Sequence, residues 1–163
     1  MDLTYFYSLD VESELAKLKE GKNKIKELEG KRHETIESQS RTFKTISSKF
    51  LPIFKYLVDE RYNFYNVFGN YEYSSRKGPV LAFDSNKQML YVFSVEKERI
   101  IGVKLDKNDS SITEVSYNWF FETYEFNDVM NGLKIAVELQ RKIIDYLMDD
   151  INERSLTLEK NPS

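Results

Sequence analysis

The chain has 163 residues, a net charge of −3, 40% apolar and 31% charged side chains, and no cysteine. That length fits one domain, or one domain with an extension. The missing Cys excludes disulfides and thiolate metal sites. The lack of any apolar run of about 18 residues excludes a membrane-spanning helix. Charge is unevenly spread, with residues 31–77 at +4 and residues 111–163 at −5, a milder basic excess than nucleic-acid binders usually carry.

The opening MDLTYFYSLD has neither a basic segment nor a long apolar run, so no signal peptide is expected and the cytoplasm is the expected location. Ser8 or Asp10 can cap a helix, with Glu12 and Glu14 in its first turn, where the helix dipole favours acids. From Val11 a three–four spacing runs through Leu15, Leu18, Lys22, Ile25, Glu29 and Arg32. It continues to Ile36, Gln39, Phe43, Ile46, Phe50, Ile53 and Leu57. Ten of these fourteen positions are apolar, a longer heptad pattern than the three or four repeats asked of a coiled coil. Gly21 and Gly30 each weaken a helix by about 1 kcal/mol against Ala. Pro52 is expected to kink or end it near Phe50, and a second helix is read from Pro52 to about Asn66.

A straight helix from Asp10 to Phe50 would span roughly 60 Å, against a radius of gyration of about 15 Å for a globule of this length. Its apolar seam therefore needs cover. A parallel homodimer would stack Lys22, Glu29 and Arg32 each on its own copy, which like charges oppose. Antiparallel pairing about a centre between Gly30 and Lys31 matches Val11 with Phe50, Leu15 with Ile46, Leu18 with Phe43 and Ile25 with Ile36. It also sets Lys22 on Gln39 and Glu29 on Arg32. Two structures satisfy this pattern. One is an antiparallel coiled-coil homodimer; the other is a hairpin within one chain that turns at EGKRHE, with Gly30 just past the first helix. The residues expected to carry self-association or partner binding are Leu15, Leu18, Ile25, Glu29, Arg32, Ile36, Phe43 and Ile46.

The period changes in the middle of the chain. Four apolar, β-branched or aromatic runs, Val80–Phe83, Met89–Ser94, Arg99–Leu105 and Ile112–Tyr124, are separated by short polar links, which reads as a four-stranded antiparallel meander. The last run alternates, with Val115, Tyr117, Trp119 and Phe121 on one face. A final helix beginning near Asn127 or Asp128 carries a stripe of Leu133, Val137, Gln140, Ile144, Leu147 and Ile151 and is expected to lie on the sheet. The expected organisation is a helical segment over 1–50, an α+β domain over 51–155 and a frayed tail over 156–163. A coiled coil followed by a helix–meander–helix domain resembles, in outline, the coiled-coil subunits with RWD-type heads of kinetochore complexes. The likeness is one of element order, and no residue motif carries it.

Signals for chemistry are sparse. His33, the only histidine, has Glu34 and Glu37 nearby as orienting carboxylates, but it lies in a polar helix or turn. Glu122, Glu125 and Asp128 could act as paired acids or hold Mg²⁺, although strand-end acids leading into a helix cap are commoner. The glycines form no phosphate loop. Asn108-Asp109-Ser110 matches a glycosylation triplet and is read as a turn. Tyr62, Tyr65 and neighbouring rings are interleaved with Arg41, Lys44, Lys49, Arg76 and Lys77, a mixture that suits single-stranded nucleic acid or a protein surface. The expected function is therefore non-enzymatic: a small inhibitor, adaptor or accessory protein that binds a larger protein and forms a homodimer through its N-terminal helix, without cofactor or metal. Nucleic-acid binding through residues 41–77 is the alternative.

Overall fold

The structure is a computed structural model that describes residues 1–106 and 111–160. The triplet at Asn108 lies outside the described residues, as do the last three residues of the expected tail. The fold is α+β. In chain order it has α1 (Thr4–Ser8), α2 (Val11–Asp59), a hairpin of β1 (Phe64–Phe68) and β2 (Tyr71–Ser75), and a meander of β3 (Val80–Asp84), β4 (Met89–Ser94), β5 (Arg99–Lys104) and β6 (Ile112–Glu114). Three helices follow: α3 (Tyr117–Thr123), α4 (Phe126–Val137) and α5 (Leu139–Lys160). By its contacts the chain divides into two compact units, Met1–Gln39 and Ser40–Ser163.

In the first unit, Asp10 opens α2 by accepting a hydrogen bond from the Glu12 amide at 3.3 Å, as an N-cap does. The helix carries exposed ion pairs one turn apart, among them Lys17–Glu14 and Lys31–Glu27 at 3.3 and 3.0 Å. Such pairs are worth a few tenths of a kcal/mol each. No turn forms at EGKRHE: α2 passes through Gly30 without interruption. A hairpin would have taken Lys31 to His33 out of the helix, whereas a lone helical Gly costs only about 1 kcal/mol.

In the second unit, α2 also runs through Pro52 and ends at Asp59, so the expected second helix does not exist. Pro52 is exposed, and the hydrogen bond it removes is lost on the water-facing side, where solvent satisfies the freed carbonyl. The helix closes in a Schellman motif: the Tyr62 amide donates to Leu57 O at 2.9 Å and the Arg61 amide to Val58 O at 3.0 Å, with Arg61 left-handed at φ 61°.

Phe64 to Asn66, read as the end of that second helix, instead begin the β1–β2 hairpin, which is paired from Phe64↔Ser75 to Phe68↔Tyr71. The missed signal is Gly69-Asn70 between two aromatic runs. Gly69 takes φ 63°, which a two-residue hairpin loop requires.

The four-stranded sheet has the order β3-β4-β5-β6, all antiparallel. Its turns are built by side chains. Asp84 Oδ1 accepts from the amides of Asn86 and Lys87 at 3.0 and 3.2 Å, and Ser94 Oγ accepts from the Lys97 amide at 3.2 Å. Central β4 is buried on both faces, Tyr91 and Phe93 on one and Leu90 and Val92 on the other. The C-terminal part of α2 lies against the Phe93 face: the Phe43 and Phe54 rings stand 5.9 and 6.3 Å from Phe93.

The fourth strand ends at Glu114 rather than Tyr124. Ser116 caps α3 by accepting from the Trp119 amide at 3.1 Å, and the adjacent Phe120 and Phe121 are both buried. Neighbours in a strand point to opposite faces, whereas a short helix can turn both rings inward. The Phe121 ring lies tilted 5.5 Å from Phe43, and Phe120 meets Tyr91 edge-on at 5.5 Å.

Helix α4 lies on β3 and β1. Gly132 makes this approach possible, since a Cβ there would collide with the Val80 carbonyl oxygen and sit 3.2 Å from Leu81 Cα. A break at Glu138 separates α4 from α5. Residues 156–160, expected to fray, belong to α5.

Candidate functional site

The fourteen-position seam of α2 splits into two kinds of surface. From Val11 to Arg32 it is open: Leu18 is 68% and Ile25 59% exposed, with Leu15 half exposed and Glu29 and Arg32 exposed. Beyond that point most of it is buried or half-buried, Ile53 excepted. Ile36 is buried and Phe43 is 0% exposed, ringed by Phe93, Tyr117 and Phe121 at 5.5 to 5.9 Å. Ile46 is half-buried.

The buried edge also shifts by one residue. Ser40, Ser47 and Phe54 are buried where the seam predicts Gln39, Ile46 and Ile53. Positions 36, 43 and 57 belong to both stripes, so the heptad drawn from them is real, but its second edge meets Phe93 of β4 and the short helix α3 of the same chain rather than a long coiled-coil partner. Small serines let a helix approach closely. Ser40 Oγ donates to Asn118 Oδ1 at 3.3 Å and Ser47 Oγ to Lys44 O at 3.2 Å. The antiparallel pairing centred on Gly30 needs Phe43 and Ile36 free, and this burial removes it.

The basic–aromatic set is not assembled into one groove. Lys44 Nζ sits 4.7 Å over the Tyr117 ring and Lys49 Nζ 5.5 Å over Phe50. Arg76 Nε donates to Asn63 Oδ1 at 3.2 Å. The Tyr62 hydroxyl accepts from Gln140 Nε2 at 3.1 Å, and Tyr65 is a half-buried hairpin residue. Arg41 and Lys77 are exposed, one on α2 and the other after β2.

Glu125 and Asp128 both line an open pocket of about 330 Å³ with Asn66, Gly69 and Asn131. Glu122 stands apart on exposed α3. Among the described residues, no group of three or more His, Cys, Asp or Glu is arranged to hold a metal. His33 Nε2 meets Glu37 Oε1 at 3.0 Å, one turn away on the exposed helix, the position of a surface pair.

Burial raises the Tyr124 hydroxyl well above the usual range, and the Tyr91 and Asp84 charges beside it add to the shift. Tyr91 and Tyr117 are raised as well, first by burial. These three hydroxyls are held neutral, which suits a core and not a general base.

A second exposed seam was legible only in part. The α4–α5 stripe is buried at Leu133 but open at Ile144, Leu147, Ile151 and Leu158, the last 73% exposed. The first three were read as lying on the sheet; the sheet-facing residues of this region are instead Val129, Leu133 and Ala136 of α4. No helix among the described residues is long and apolar enough to cross a membrane. No protein-family model matches the chain, and no curated protein or solved structure is similar to it.

Proposed function

We propose that this chain is a non-enzymatic protein-interaction module, acting in the cytoplasm as a small inhibitor, adaptor or accessory protein, and that it self-associates through the N-terminal part of α2. One observation carries the reading: an apolar stripe at heptad spacing, Val11, Leu15, Leu18 and Ile25, is exposed along a capped, uninterrupted helix. Such a stripe has its stable form against another helix. The core of the second unit closes without it, so the stripe is free for recognition.

The test is Leu18→Asp combined with Ile25→Asp, read by light scattering on a sizing column. Wild type is expected at a mass near twice 19.3 kDa, and the double variant at the monomer mass with unchanged helix and sheet content by circular dichroism. A wild-type chain that runs as a monomer at all concentrations, or a variant that keeps the wild-type mass, overturns the self-association. Phe43 is left unchanged in this variant, because a charge there would enter the core.

A further inference from the structure

Resting on that reading, we propose that the surface on which α2 docks is the exposed seam of α5 on a second copy of the chain, in antiparallel register. Both helices present apolar residues at heptad spacing, and their main charge blocks are complementary, with Glu20 opposite Asp149 and Asp10 opposite Glu159 as like-charge exceptions. In α2, residues 17–26 carry five lysines against one glutamate, for +4; acids flank this block, Glu12 and Glu14 before it and Glu27 and Glu29 after it. In α5, residues 145–153 carry Asp145, Asp149, Asp150 and Glu153 and no cation, for −4; Arg141 and Lys142 precede this block and Arg154 follows it.

Laid antiparallel, the lysine block meets the aspartate block, Glu27 and Glu29 meet Arg141 and Lys142, and Glu14 meets Arg154. The same register sets Leu18 on Ile151, Ile25 on Ile144 and Val11 on Leu158. Lys22 and Arg154, the cations inside the seam, lie along Leu147 and Leu15 with their aliphatic stems.

Neither seam suits its own kind as well. A parallel pair of α2 helices stacks Lys22, Glu29 and Arg32 on themselves, and two α5 helices bring one acidic block toward another. Opposite charge blocks fix partner and register in helix pairs. The ion pairs that engage these groups now, such as Arg154–Asp150 and Lys24–Glu27, are exposed and lie within one turn, so they exchange at little cost. A two-fold dimer makes the α2–α5 contact twice, each copy giving one seam and receiving the other.

Charge reversal with mixing tests this. One variant carries Lys17→Glu, Lys19→Glu, Lys24→Glu and Lys26→Glu; the other carries Asp145→Lys, Asp149→Lys, Asp150→Lys and Glu153→Lys. Each alone is expected to be monomeric at concentrations where wild type is dimeric, with its dissociation constant raised at least about tenfold. Mixed one to one, they are expected to regain the dimer mass, because both contacts are then complementary again. All eight side chains lie on exposed or half-exposed helix positions, and circular dichroism confirms that each variant folds. If the α5 variant keeps the wild-type dimer while Leu18→Asp with Ile25→Asp still breaks it, α2 self-associates by another face and the α5 assignment is overturned alone. If wild type is monomeric, both readings fall. Variants that separate but do not recombine on mixing overturn the α2–α5 contact.

Discussion

Phe43 and Ile25 lie on the same predicted stripe of the same helix, and the structure gives them opposite environments. Phe43→Ala empties a position that is 0% exposed and touched by three rings within 5.9 Å. Loss of a buried phenyl ring costs about 3–5 kcal/mol, the cavity included. A domain of this size shifts its Tm by roughly 2–4 °C per kcal/mol, so the expected fall is about 6–20 °C. Ile25→Ala, at a side chain 59% exposed, should change monomer stability by less than about 0.5 kcal/mol. The assay is urea unfolding followed by Trp119 fluorescence, run at a concentration where wild type is dissociated so that association adds nothing. Trp119 lies 5.8 Å from the Tyr91 ring and reports the second unit. A Phe43→Ala midpoint within error of wild type would refute the assignment of this residue to the core, and with it the argument that the inner half of the seam is closed to partners.

Gly30→Ala is expected to raise helix content and stability by up to about 1 kcal/mol, because a Cβ there meets nothing within 4 Å and the backbone is already helical; a loss in thermal unfolding would mean that the chain turns at Gly30 after all. Gly132→Val should destabilise by more than about 2 kcal/mol, since the neighbouring atoms are the backbone of Val80 and Leu81 and α4 must lift off β3; denaturant titration gives the value. In Tyr124 the folded-state pKa is raised, so its neutral form is favoured by folding. The stability this supplies is intact below pH 10, the ordinary tyrosine value, and is lost as pH climbs past it. Tyr124→Phe should flatten that alkaline limb in melts run from pH 8 to 11. An unchanged pH profile in that variant would show that the hydroxyl titrates normally.

The parts of the fold that sequence exposes are those governed by one local rule. Asp10 with Glu12 and Glu14 announces a helix start, and the alternation of β3, β4 and β5 between short polar links announces a meander. Both rest on contacts within a few residues. The errors sit where two rules compete. Pro52 breaks helices in general, yet on the wet side of α2 its missing donor costs little and the helix goes on. Tyr117 to Phe121 alternates like a strand, but Ser116 caps a helix there, and burying Phe120 and Phe121 together decides the matter. Residues 64–75 are rich in aromatics that both helices and strands accept, and only Gly69-Asn70 marks the hairpin.

The candidate surface follows the same logic at larger scale. A heptad pattern states that one side of a helix must be covered, and it does not state by what. Here one pattern meets two covers in succession. Over its inner half α2 lies on a sheet, with Ser40 and Ser47 admitted at the close edge. Over its outer half the large residues Leu15, Leu18 and Ile25 stand open, in company with lysines that no core would accept. The buried seam position Phe43 is met by rings that come from residues 93 to 121, far along the sequence, so no local window reveals its cover. Lys22, Glu29 and Arg32 carry the opposite message locally: three charges fall within the first seven seam positions, and none of the three is buried. The change from charged to uncharged seam residues, between Arg32 and Ile36, is thus the place where sequence alone separates a surface left open from one used to fold.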